Sequence, residues 1–349
     1  MKKIKLFLIS FLFLLIGGVL IQKYSGYLYQ APVGVVQTAT VNETSQGATI
    51  RLINEKPKEL IEITEEYDEN HAMTGKLSPG DQVILAKKGN KWQIHSLKRD
   101  GYVFILIGSF LLFVLLIGGK KGGLSLLGVL CNLIFLLVLV WINKLYPKLP
   151  LTTLMIGYTI LAVFLSMTTL YGFKKIDWRK TLATLASVFL AYFLCVAVMD
   201  LFHDSGLRFE EMQFVTRPYR TVFLASLLIG SIGAALDNSV MIVSSLDEIV
   251  AHRPEIENQE LIQTGLRIAS DTSASMVNVL LYAYVSGAAP VFLFYLANGW
   301  LFTDTFQMHL SLELLRALCG GLAIVFTVPL SLASFIFFRR TRKQEEVQQ

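Results

Sequence analysis

An aspartate next to an asparagine interrupts an apolar run: Asp237 and Asn238 fall inside "GAALDNSVMIVSSLDEIV", residues 233–250, at the end of a stretch fit for lipid from Thr221 onward. A charge in hydrocarbon is costly, and acids found there commonly serve as ion ligands or proton relays. Helical spacing sets Ser226, Gly230, Gly233 and Asp237 on one face, at i, i+4, i+7 and i+11, continued by Met241, Ser244 or Ser245 and Glu248. A second stretch, "GLRIASDTSASMVNVLLYAYVSGAAP", repeats the spacing with Asp271, Ser275, Asn278 and Tyr282. If the two helices pair antiparallel, both carboxylates and both asparagines line one cavity at the same membrane face, with hydroxyls from Ser270, Thr272 and Ser273. Neighbouring acids in such a cavity hold a cation when charged and release it when protonated. The other reading is packing: small residues let helices approach closely, and Asp271 caps the helix that follows it.

The rest of the sequence says what must position these residues. Of 349 residues, 54% are hydrophobic and 16% charged, in blocks that match the roughly 20 residues a helix needs to cross a bilayer. Eight spans are expected, at residues 4–21, 102–119, 123–142, 150–171, 181–201, 219–243, 274–297 and 312–338, so the carboxylates lie on the sixth and seventh. This is an α-helical polytopic membrane protein. Lysine- and arginine-rich loops stay cytoplasmic. That rule places Lys2, Lys3 and Lys5, Lys120 and Lys121, Lys174, Lys175, Arg179 and Lys180, and Arg339, Arg340, Arg342 and Lys343 on the inner side, with both termini cytoplasmic. Residues 244–267 carry only Arg253 and Arg267 against five acids, so their inner placement rests on parity. The first apolar run reads as an anchor over residues 1–21, because "QKYSGYLYQ" after it lacks the small-x-small pattern of a cleavage site.

Residues 22–101 form a second, extracytoplasmic domain. "VGVVQTATV", "ATIRLI", "ELIEIT", "DQVILAKK" and "WQIHSL" read as short strands, with "KGNK" as a hairpin turn, which predicts an OB-like barrel or a sandwich. Ten basic residues balance ten acids there, so no nucleic-acid footprint exists. His71 and His95 are too isolated for a metal site. Cys131, Cys195 and Cys319 all fall inside spans and the external domain has none, which takes disulfides out of play. Residues 102–338 are then a seven-helix membrane domain, followed by a basic tail at 339–349.

Enzyme chemistry finds little support. Two intramembrane carboxylates suit an aspartyl protease dyad, but the Tyr-Asp and Gly-x-Gly-Asp patterns are absent, and no phosphate-cradling glycine loop occurs. "HDSGLRFEE" from His203 reads as a solvated loop rather than a metal site, having no helical His-x-x-x-His pair. Glu313 and Arg316 are spaced for an ion pair at i, i+3, with Arg316 snorkelling to the headgroups; Pro290 and Pro329 are placed to kink the last two spans. No catalytic residue, cofactor or metal ligand is expected.

The two polar stretches, behind an anchored β-domain and a run of further spans, resemble the YibE/F family of bacterial multi-spanning membrane proteins. Where the family often reads Gly-Arg-Asp, this chain has Ala269, Ser270 and Asp271, keeping the acid and losing the basic neighbour. The resemblance implies a bacterial plasma membrane and a paralogous partner subunit, and supplies no activity. The residues favour a secondary transporter or channel for an ion or small polar solute. The alternative is a membrane scaffold or envelope sensor whose β-domain recognises an external component and whose acidic 244–267 segment meets a cytoplasmic partner.

Overall fold

The computed structural model describes residues 2–42, 45–54, 60–66, 75–89, 91–172, 176–209 and 218–348. His71, Asn90, Lys174, Lys175, Glu210 and Glu211, singled out in the sequence, lie outside them. Two compact units divide the chain, residues 1–123 and 124–349.

In the first unit, helix α1 (Lys2–Tyr24) leads through a short 3-10 turn into five strands, β1 (Val33–Val41), β2 (Ser45–Leu52), β3 (Leu60–Glu66), β4 (Gln82–Lys88) and β5 (Lys91–Leu97). Each expected strand is there, because each carries the alternation that buries one face. All pairings are antiparallel in the order β3-β2-β1-β4-β5, and β3 and β5 approach each other at the open edges. The Ile94 amide donates to Glu65 Oε1 across that gap at 2.6 Å. Strand β1 pairs with β4 through Val33–Val35 and with β2 along its length, with a register shift between Val36 and Thr38 that bends it. Val36, Ile50, Leu52, Ile63, Val83 and Leu85 fill the interior.

Helix α2 (Asp100–Leu145) follows directly, and its start is tied to the end of α1 by polar groups. Gln22 Nε2 donates to the Lys98 carbonyl at 2.7 Å, and Lys98 Nζ to the Gln22 carbonyl at 2.8 Å. Asp100 accepts from Ser25 and Tyr29, each at 2.7 Å. Phe7 of α1 meets Phe113 of α2 with ring centres 5.3 Å apart, so the two helices run antiparallel side by side.

The sequence separates two spans where the structure has one 46-residue element, broken at Gly119 (φ 54°, ψ −133°). A Cβ on Gly122 would stand 2.5 Å from the Val114 carbonyl oxygen. Residues eight apart in a straight helix are about 12 Å apart, so the chain turns back at Gly119.

The second unit holds the rest of α2 with α3 (Leu151–Tyr171), α4 (Trp178–Leu201), α5 (Tyr219–His252), α6 (Asn258–Ala297), the short α7 (Phe302–His309) and α8 (Ser311–Gln348). Among the described residues, seven helices are long and apolar enough to cross a membrane. Helix α8 is the hub, packed against α4, α5 and α6. Pro290 and Pro329 lie inside α6 and α8. Helices α5 and α6 overrun their expected spans, so the 244–267 segment is mostly a helical hairpin with its turn at residues 253–257. Ile242, Val243, Leu246 and Leu261 pack that hairpin on Leu332 and Phe335 of α8. Close approach here needs Gly265, where a Cβ would meet Leu332 at 2.6 Å.

Candidate functional site

Hydropathy in this bundle hides an interior seam of polar groups. Thr181, Thr184 and Ser187 on α4, Asn238 and Ser239 on α5, and Thr327 and Ser331 on α8 are fully buried. They satisfy one another and the helical carbonyls: Thr327 donates to Ser187 at 2.9 Å, Ser239 to the Lys180 carbonyl at 3.0 Å, and Asn238 Nδ2 to Ser273 at 3.1 Å and the Ile324 carbonyl at 3.0 Å. Asn238 is thus a strut holding α5 to α6 and α8. At one end of the seam, Arg179 forks across Asp177 (2.8 Å) and Asp247 (2.6 Å) and lies 5.0 Å over the Phe335 ring. Buried Lys180 donates to Ser244 at 3.0 Å and Tyr171 at 3.3 Å. Asp177 is the N-cap of α4. Burial alone would raise its pKa, yet Arg179 and Lys180 hold it below the ordinary carboxylate value.

The stripe on α5 divides by position. Ser226 accepts from Arg316 Nε at 3.1 Å, and Gly230 makes room for the Tyr284 hydroxyl. Arg316 pairs with Glu313, as their spacing predicts, and also lies 5.3 Å over Phe223, so it turns onto α5 rather than standing alone at the headgroups. Gly233 and Asp237 face the other way, into a cavity of about 460 Å³ walled by the second arm of α2, α3 and α5. Its polar lining is Ser125, Asn132, Tyr158, Ser166, Thr169 and Asp237; the rest is apolar or glycine, and none of it comes from α6. Gly128 allows the walls to meet, since a Cβ there would stand 2.6 Å from Thr169 Oγ1. Among the described residues, Asp237 has no hydrogen-bond or ion-pair partner.

The residues expected to share Asp237's cavity lie elsewhere. Asp271, Ser275, Asn278 and Tyr282 form an exposed line on α6, while Ser273 hydrogen-bonds Asn238 of α5. Sequence reasoning missed Asn132, Tyr158, Ser166 and Thr169. They come from two further helices, and their spacing carries a weak signal: Tyr158, Ser166 and Thr169 fall at i, i+8 and i+11, one face of α3. Where α4 ends and α5 begins, Asp200 and Asp204 both pair with Arg220.

Long apolar helices and a buried polar seam mark a multi-helix membrane protein, and Asp237 is an exposed carboxylate on the wall of its cavity. The chain belongs to the YibE/F family: the profile of the YibE/F-like protein matches residues 106–341, more than half its length, and leaves α1 and the β-domain outside. No curated protein and no solved structure matches it.

Proposed function

We propose that this protein is a non-enzymatic secondary transporter or channel for an ion or small polar solute, with Asp237 at its binding site. The observation that carries the reading is the cavity of about 460 Å³ beside α5, where a carboxylate stands without a partner among apolar helices. Unpaired acids in that setting are expensive to keep and are found where ions or protons pass. The β-domain, with its strand order and the approach of β3 to β5, is read as an OB-like barrel on the outer face of a bacterial plasma membrane. Both termini are then cytoplasmic. The exposed polar line on α6 suits the partner subunit implied by the family.

Reconstituted protein, assayed for flux of a panel of ions and metabolites, tests this. Asp237→Asn should reduce flux per folded molecule at least 100-fold while leaving abundance unchanged. Asp271→Asn locates the site: retained flux fits the cavity walled by α2, α3 and α5, and an equal loss restores a site shared between α5 and α6. Undiminished flux in Asp237→Asn defeats the proposal. The scaffold or sensor reading has one observation of its own, the polar lock of Gln22, Ser25, Tyr29, Lys98 and Asp100, which ties the β-domain to two helices as a rigid lever would be.

A further inference from the structure

The cavity beside Asp237 holds more acceptors than donors. Asn132 uses its amide nitrogen on Ser166, at 2.9 Å, and its Oδ1 is buried with no hydrogen-bond partner. The Thr169 hydroxyl donates to the Leu165 and Ser166 carbonyls at 3.0 Å, and the Tyr158 hydroxyl reaches the Asn132 carbonyl at 3.4 Å. The Tyr158 and Thr169 hydroxyls are committed to backbone carbonyls, and their oxygen lone pairs remain. No lysine, arginine or histidine lines the cavity. A buried acceptor left unmade is destabilising.

We propose that this cavity binds a monovalent alkali cation, with the Asp237 carboxylate and Asn132 Oδ1 as protein ligands and the Ser166 and Thr169 oxygens completing an all-oxygen set. The inference rests on the transport reading for its use and on the donor chemistry for its content. One carboxylate balances one positive charge. A divalent ion would leave net charge in an apolar bundle, and calcium sites recruit several carboxylates and carbonyls for that reason. The volume exceeds a bare ion, so the cation keeps part of its water shell and the hydroxyls contact it directly or through water.

The test is thermal unfolding of the purified full chain in detergent, titrated with lithium, sodium, potassium or rubidium chloride against N-methyl-D-glucamine chloride at fixed ionic strength and pH. A ligand bound only by the folded state stabilises by RT ln(1 + [L]/Kd), so at one hundred times Kd an alkali ion should raise Tm by about 5–10 °C. Asp237→Asn and Asn132→Leu should each weaken the apparent affinity at least 10-fold, and Asp304→Asn on α7 should not change it. Asn132→Asp keeps the shape and adds a second carboxylate, so it should gain a calcium-dependent shift absent from the wild type. That gain can be read even where a loss variant fails to fold, and its absence in folded Asn132→Asp counts against Asn132 as a ligand. Equal melting in every salt, or a shift undiminished in folded Asp237→Asn, overturns it. So does a melting point that follows pH but no alkali ion, which assigns the cavity to a proton. Ion binding without flux of any solute leaves this inference standing and removes the transport reading; flux without ion binding does the reverse.

Discussion

At the scale of single residues, this chain carries two kinds of charge on its helices, and the sequence separates them poorly. Arg179 and Lys180 read as topology signals, yet in the fold they are bound to Asp177, Asp247, Ser244 and Tyr171 at the junction of α4, α5 and α8. Such a network is worth much when complete and is destabilising when one partner is lost. Asp177 gives a pH test. Its pKa is held below the ordinary carboxylate value in the fold, so its contribution is present above the unfolded value of about 3.9 and is lost as pH falls through the lower folded value. Acid unfolding should therefore set in at higher pH in Asp177→Asn than in wild type. At neutral pH the same change should lower stability by about 3–5 kcal/mol by leaving Arg179 and Lys180 underpaired. Thermal melts from pH 7 to pH 3 check both; overlapping curves would show that the network is solvated. Asp237 was legible because an acid in an apolar run is conspicuous. Its neighbours Asn132 and Ser166 were not, because a lone amide or hydroxyl in a span is common and its partner lies 34 residues away.

At the scale of elements, the strands were all read, with their ends off by up to a few residues, since alternation and turn residues are local signals that one buried face enforces. The helices were read as long apolar runs, but eight spans were expected where seven helices of the described residues are long and apolar enough, and their extent and pairing were missed. Hydropathy ends a span where polar residues begin, but α5 and α6 continue past that point because α8 offers apolar surface beyond it. The stripes on α5 and α6 were in matching phase, yet a shared phase does not say which faces meet. Bulk decides it: Gly230, Gly265 and Gly320 are the places where the α5, α6 and α8 helices come close, and the line of Asp271, Ser275, Asn278 and Tyr282 is left outside. Gly119 is the position where one element becomes two. Its φ of 54° with ψ of −133° is open to glycine and strained for any L side chain. Gly119→Val should cost about 1–3 kcal/mol and lower Tm in detergent, while Gly118→Ala next to it, with no neighbour near its Cβ, should be tolerated. Equal melting of the two variants would place the reversal elsewhere.

At the scale of the molecule, the Gly119 reversal predicts a topology by parity. The β-domain lies between α1 and α2. If α2 crosses the membrane once on each arm, the chain makes five crossings before the turn at residues 253–257: two on α2 and one each on α3, α4 and α5. An odd count puts that turn opposite the β-domain. If α2 crossed once, the count would be four, and both would share a side. Loop charges favour the odd count, since Lys120 and Lys121 sit at the reversal and would otherwise be carried through lipid. The experiment uses a background with Cys131, Cys195 and Cys319 replaced and one exposed position converted at a time. Lys88→Cys on β4 should react with an impermeant maleimide in intact cells, whereas Glu255→Cys should react only after permeabilisation. Labelling of both sites from outside would mean that α2 does not double back across the membrane.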